Sequence, residues 1–457
     1  MANSCKYYKQ QRQVSYDGGV SWQNLNEFQK GELYERDSSS CGYMEVTRWV
    51  TTGTTCQGYD KYNVQVKEIS YDGGTTWNRT TETQNILAER NSTDCGYVPP
   101  TPTSGDYLTF TAVESGAFSF SGYSVSYSLD DGATWNQLTS TYTPVVEVGN
   151  SIKWKSNYSL SSYEIGTFSS TNKFSVGGNV MSLLYGDDFT GHTDLSDRIM
   201  TFGGLFANCS GMTSAEYLSL PATTLGNSTY LRMFSNCTGL TTPPQLPATT
   251  LGVQCYRMMF ANCRSLVSAP ALPVTTLADR CYAEMFQDCR SLTSVPSLPA
   301  TVMTEMCYEG MFAGCYSLTT VPTNYLPSTS LANNCYEGMF QYCTGLTQAP
   351  ELPAMSLTEA CYSNMFANCY SLATAPVLPA ATLRKSCYMS MFMECSSLTY
   401  VKCLATDISA EYCTSSWFLS STTHPIPDNG TFVKAASMNS WTRGSDGILP
   451  TWTVQNA

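Results

Sequence analysis

The chain has 457 residues, 42% of them hydrophobic and only 13% charged, with a formal net charge of −12. That length holds two or three domains, each able to bury a core. The acidic balance, with no block of clustered Lys and Arg, excludes nucleic acid as a partner, because phosphate contact needs a cationic footprint.

From the start of the chain, Met1 to Gln10 is polar and lacks the apolar stretch of a secretory signal, which predicts synthesis and folding in a cytosol. No apolar run reaches the length of a membrane span. Residues 1–50 and 51–98 read as two copies of a small β module, with Cys5 and Cys41 answered by Cys56 and Cys95. Each copy holds a turn motif, from Ser15 through Asp17 to Trp22 and from Ser70 through Asp72 to Trp77. A third copy runs from Ser128 through Asp130 to Trp135, beyond a Pro-rich linker at Pro99–Gly105. In all three, Asp and Gly form a hairpin turn and Trp packs beneath it. The motif resembles the Asp-box hairpin of sialidases, where it is structural, so the resemblance implies no catalytic role.

Residues 106–176 read as a β-sandwich-like module, from the alternation in Tyr107–Thr111 and Ser124–Ser128. Residues 177–421 then carry an internal repeat. Phe followed by Cys three residues later recurs at Phe206/Cys209, Phe234/Cys237, Phe260/Cys263, Phe286/Cys289, Phe312/Cys315, Phe340/Cys343, Phe366/Cys369 and Phe392/Cys395, with a degenerate copy at Trp417-Phe418. A Leu-Pro pair keeps the same beat from Leu220-Pro221 to Leu378-Pro379. Within one repeat, Leu277, Cys281, Met285 and Cys289 lie four apart with Phe286 beside them, which predicts a short helix. Thr275 and Thr276 are its candidate caps, and Asp279 lies in its first turn. Leu292, Val295 and Leu298 follow as an extended segment that Pro296 and Pro299 keep short. Half a dozen buried side chains, at about 1.5–3 kcal/mol each, cannot offset about 1–2 kcal/mol per residue of backbone ordering, so a lone repeat cannot fold. Stacked neighbours can. Residues 422–457 read as a C-terminal cap. The fold class is therefore multidomain: small all-β N-terminal modules, then an α/β leucine-rich-repeat solenoid with its cap.

Of the 20 cysteines, only Cys5, Cys41, Cys56, Cys95 and Cys403 fall outside two fixed repeat positions. There is no CxxC pair and the only histidines are His192 and His424, so four converging zinc ligands are not expected. Thr201, Thr229 and Ser421 replace cysteine at equivalent places, which argues for two ladders of buried reduced thiols rather than disulfides. Tyr230, Tyr256, Tyr282, Tyr308, Tyr336, Tyr362 and Tyr388 form a further stripe. It reads either as packing or as an exposed aromatic strip for a glycan or protein ligand.

The array resembles the BspA-like leucine-rich repeats, whose Phe-x-x-Cys-x-x-Leu and later Leu-Pro are matched by Phe286, Cys289, Leu292, Leu298 and Pro299. Cys5-Lys6-Tyr7-Tyr8, Ser15–Gly19 and Tyr107–Phe110 resemble proteins of gut Bacteroidales phages, including crAss-like ones. This second resemblance implies a virion protein made in the host cytoplasm. Its N-terminal modules would join other virion proteins, and its repeats would meet a host-surface glycan or protein, or mucus. A homo-oligomer is expected from the symmetry of such appendages. The alternative is a bacterial cell-surface adhesin. Glycoside hydrolysis needs two opposed carboxylates, whereas Asp187-Asp188 and Asp130-Asp131 are sequence neighbours that tend to point apart. No catalytic residue, cofactor or metal is expected.

Overall fold

The computed structural model describes residues 13–14, 23–24, 46–57, 60–70, 76–89, 105–139, 142–156 and 166–457. The chain divides into two compact units, Met1–Thr101 and Pro102–Ala457.

In the first unit the strands Val46–Gln57, Asp60–Ser70 and Asn78–Glu89 form an antiparallel three-stranded sheet. Its first strand runs straight through the boundary expected at 50/51, because Val46–Val50 pairs with Val66–Ser70 and cannot be parted from it without breaking a ladder. Glu68 takes ion pairs from Arg48 at 2.8 Å and Arg79 at 3.3 Å, and the Arg48 guanidinium lies 3.9 Å above the Trp77 ring.

The three turn motifs share one register. Val14 pairs with Gln23, Ile69 with Asn78, and Tyr127 with Asn136. In each, the residue before the motif's Ser faces the residue after its Trp. In the third, Asp130 accepts bonds from Thr134 (N at 2.8 Å, Oγ1 at 2.6 Å) and from the Ser128 hydroxyl at 2.7 Å. Trp135 packs edge-on against Tyr107, with ring centroids 4.8 Å apart. Asp17, Trp22 and Asp72 lie outside the described residues.

The second unit opens with a six-stranded sheet. Leu108–Ala112 is flanked by the antiparallel strands Ser151–Lys155 and Phe174–Asn179, and Phe174–Asn179 pairs in parallel with Met212–Ser219. The module expected to close at residue 176 therefore continues into the array. The reason is hydrophobic: Phe110 and Phe168 each lie 5.9 Å from Phe206, so the module's core and the first coil's core are one.

The array departs from the α/β expectation. Among the described residues the only helix is the four-residue Ser182–Tyr185, and the repeats contain none. The segment read as a helix is a chain of overlapping turns. The amides of Cys281, Ala283, Met285, Gln287 and Cys289 bond three residues back, to Ala278, Arg280, Tyr282, Glu284 and Phe286. The amides between them, of Arg280, Tyr282, Glu284, Phe286 and Asp288, bond instead to Glu305, Cys307, Glu309, Met311 and Ala313 of the next coil. Arg280, Glu284 and Asp288 each have a φ of +56°, the left-handed geometry that an α-helix excludes. Positive φ recurs every fourth residue in most coils, often at Asn or Gly, as at Asn236, Asn262, Gly310, Gly314, Gly338, Asn364 and Asn368. A four-residue repeat imitates the helical period, which is why the side-chain spacing misled. Half the amides find their acceptor only on a neighbour, so the need for stacking is built into the hydrogen bonding as well as the core.

Extended segments of successive coils pair through single bridges, such as Thr320 with Gln348, Val302 with Ser330 and Thr374 with Tyr400. At the far end, Tyr400–Cys403, Thr431–Lys434 and Thr453–Asn456 form a parallel three-stranded sheet. Trp441 stacks on Trp417 at 5.6 Å, and the Trp417 indole donates to the Gly447 carbonyl at 2.7 Å. The last coil's aromatic face is covered there.

Candidate functional site

Each coil presents two aromatic rings to its neighbours. Phe234, Phe260, Phe286, Phe312, Phe340 and Phe366 form one file, nearly parallel and 5.3–6.0 Å apart. Tyr230 through Tyr388 form a second, with neighbouring centroids 5.8–6.2 Å apart. These tyrosines are at most 2% exposed, so the exposed-strip reading fails for them. They follow the first cysteine of each coil and share its inward turn. The Tyr230 hydroxyl is buried without a hydrogen-bond partner.

Cys237, Cys263, Cys289, Cys315, Cys343 and Cys369 are fully buried and free. Each thiol donates to the carbonyl of the preceding coil's Phe at 3.0–3.2 Å: Cys237 to Phe206, Cys263 to Phe234, Cys289 to Phe260, Cys315 to Phe286, Cys343 to Phe312 and Cys369 to Phe340. The other ladder, Cys255 to Cys413, is also free and buried. Burial pushes the Cys307 and Cys361 thiols up to about 11, and those of Cys343 and Cys395 up to about 12. A buried thiol held neutral in this way is a poor nucleophile. Among the described residues, no three His, Cys, Asp or Glu side chains converge on a point that could hold a metal ion. Cys56, in the other unit, is disulfide-bonded.

Two of the carboxylates named as glycosidase candidates, Asp187 and Asp130, are engaged elsewhere. Asp187 accepts from Lys155 at 2.6 Å and Tyr107 at 2.7 Å, and Asp130 closes its own hairpin. Hydrogen bonds from Thr134 and Ser128 hold the Asp130 carboxyl down at about 2. His192 stacks on Tyr185 and meets the Asp188 carbonyl at 2.9 Å.

Outside, hydroxyls do the work of strand pairing. Thr241, Thr347 and Thr399 Oγ1 donate to Thr213, Thr319 and Ala373 carbonyls of the preceding coil at 2.9–3.3 Å. Between Leu and Pro, positions such as Ser297 and Pro299 are exposed. One residue escaped the sequence reading: Tyr325, in one of the two longer repeats, lies 6.4 Å from both Phe312 and Phe340 and donates to the Pro296 carbonyl at 3.0 Å. The two-residue lengthening of that repeat was its only signal.

These features define a class: a repeat protein whose coils bury every thiol in their interior and turn uncharged hydroxyls outward. A family model described as BspA type leucine rich repeat region matches in six copies over residues 202–347, 256–399 and 336–437. Together these matches cover just over half of the chain, which belongs to the BspA type leucine-rich repeat family. No curated protein matches it, and no solved structure does. No helix among the described residues is long and apolar enough to cross a membrane.

Proposed function

We propose that the coil array is a non-catalytic binding scaffold, a solenoid whose successive coils repeat one outward surface, serving as a surface-exposed, adhesin-type protein. The observation that carries this reading is the burial of the cysteine and tyrosine files, 0–4% exposed, which removes the thiols and the stacked tyrosines of the coils from solvent. What the coils offer instead is Ser, Thr and Pro, repeated once per coil and suited to multivalent contact. Weak contacts repeated in register gain through effective concentration without any strong single site.

A more specific reading supposes a phage virion. In it the N-terminal modules attach to other virion proteins and the array faces a host surface or its mucus, as a fibre or surface appendage. The resemblance of Cys5–Tyr8, Ser15–Gly19 and Tyr107–Phe110 to gut phage proteins supports it. The family match favours, as the second reading, an adhesin on a bacterial surface. Mass spectrometry of purified virions, set against the washed surface fraction of uninfected cells, separates the two: recovery only from the cells ends the virion reading. Adhesion of the purified chain to host cells tests the scaffold itself, and no measurable adhesion would reject it. Sedimentation analysis checks the expected homo-oligomer.

A further inference from the structure

One edge of the array changes character along its length. In the early coils the left-handed position before the ladder cysteine is Asn208, Asn236 and Asn262, and the Asn236 amide donates to Asn208 Oδ1 at 3.0 Å. In three consecutive later coils the residues flanking that cysteine are aromatic: Tyr316 after Cys315, Tyr342 before Cys343 and Tyr370 after Cys369. Tyr316 is 39% exposed and Tyr342 44%, while Tyr370 is half-buried. Backbone bonds tie these coils directly together, Gly314 N to Gln341 O at 2.7 Å and Tyr342 N to Ala367 O at 2.8 Å. The Tyr370 hydroxyl lies within electrostatic reach of the other two: its pKa is raised first by burial and then by Glu394, Tyr342 and Tyr316.

The end rings are held in place. The Arg290 guanidinium lies 5.0 Å over the Tyr316 ring, and His424 stacks on Tyr370 at 4.1 Å with the planes 4° apart. Arg290 is paired with Asp288, and His424 Nδ1 lies beside the Glu394 carboxylate, both at 3.6 Å. On a chain of net charge −12, this leaves an aromatic strip without a surplus cation from Arg290, whose charge Asp288 offsets.

We propose that Tyr316, Tyr342 and Tyr370, bracketed by Arg290 and His424, form a binding strip for an uncharged polysaccharide laid along the stack. The proposal rests on the scaffold reading above and gives it a ligand class. Sugar rings carry apolar C–H faces that pack on aromatic faces. Tyrosine gives this contact at low entropic cost, because it has few rotatable bonds and two of the three rings are already stacked. With Arg290 already paired to Asp288, the strip offers an anionic chain no unpaired guanidinium, and the overall charge repels it. One ring per coil over three coils matches an extended ligand rather than a small one.

The test is electrophoresis of the full chain through native gels embedding yeast mannan, dextran or xylan, with hyaluronan as the anionic comparison. Retardation is expected in at least one neutral gel and not in hyaluronan. The Tyr316→Ala/Tyr342→Ala/Tyr370→Ala variant should lose it at least tenfold in apparent affinity, with an unchanged urea midpoint confirming its fold. A Val302→Ser/Met355→Ser variant, altered at exposed positions away from these tyrosines, should be retarded like the native chain. No retardation of the native chain in any neutral gel, equal retardation of the tyrosine variant, or stronger retardation in hyaluronan would overturn the proposal. Adhesion to host cells is measured in parallel. If the native chain and the tyrosine variant adhere equally, the strip is wrong and the scaffold stands, whereas a native chain that does not adhere removes the scaffold itself.

Discussion

The Cys289 thiol donates to the Phe260 carbonyl at 3.1 Å, and that same carbonyl accepts the Cys263 amide at 3.0 Å. One oxygen thus closes a turn in its own coil and clamps the next coil onto it. Cysteine suits this place because its Cβ–Sγ reach spans two coils while the group stays largely apolar. Replacing Cys289 by Ala removes the clamp and leaves a small void, with an expected loss of about 1–2 kcal/mol. The measurement is a shift of the urea midpoint at constant slope. A midpoint unchanged from the native chain would show that the thiol contributes no clamp.

Alkaline pH should loosen the array. Folding raises the Cys307 and Cys361 pKa values to about 11 and those of Cys343 and Cys395 to about 12. A raised pKa means the neutral thiol is the form that folding favours, so its contribution is complete below about pH 8.5, the ordinary thiol value, and is lost as pH rises toward 11–12. The urea midpoint should fall steadily above pH 9. Iodoacetamide at pH 8 should leave the array thiols unmodified in the native chain and alkylate them all in guanidinium.

Gly338 has a φ of +59°, and a Cβ there would meet nothing closer than Gln341 Oε1 at 3.5 Å. Space is available, so the cost of Gly338→Ala is conformational, about 1 kcal/mol. Gly338→Asn should cost less, because Asn tolerates the left-handed region. Thermal melts of the two variants should rank in that order below the native chain. The reverse ranking would mean that contact, not backbone geometry, governs the site.

Acid acts on the third hairpin with the opposite sign. Asp130 is held at about 2, so it supports the folded hairpin above its unfolded value near 4 and loses that support as pH falls toward 2. Asp130→Asn should flatten the loss of stability across that interval, read from the near-ultraviolet signal of Trp135 and its neighbours. An acid transition identical in both proteins would place the sensitive carboxylate elsewhere.

Much of this fold was legible from residue order alone. The spacing of Phe286, Cys289, Leu292 and Leu298 announced a repeat that cannot stand alone, and the exchange of Cys for Thr229 or Ser421 argued for free thiols. Both inferences need only periodicity and side-chain chemistry, which are local and additive along a chain. The conformation inside the coil was not legible. Inward residues four apart suit an α-helix and a run of alternating turns equally well, and the choice lies with amides such as those of Tyr282 and Phe286, whose acceptors belong to the next coil. Tertiary structure likewise sorted the tyrosines. Tyr282 and Tyr316 are the same residue type in neighbouring coils, yet one is sealed in a stack and the other meets solvent. Composition and order therefore determined that coils stack, while which ring faces water was decided only once each coil had a neighbour to complete its hydrogen bonds.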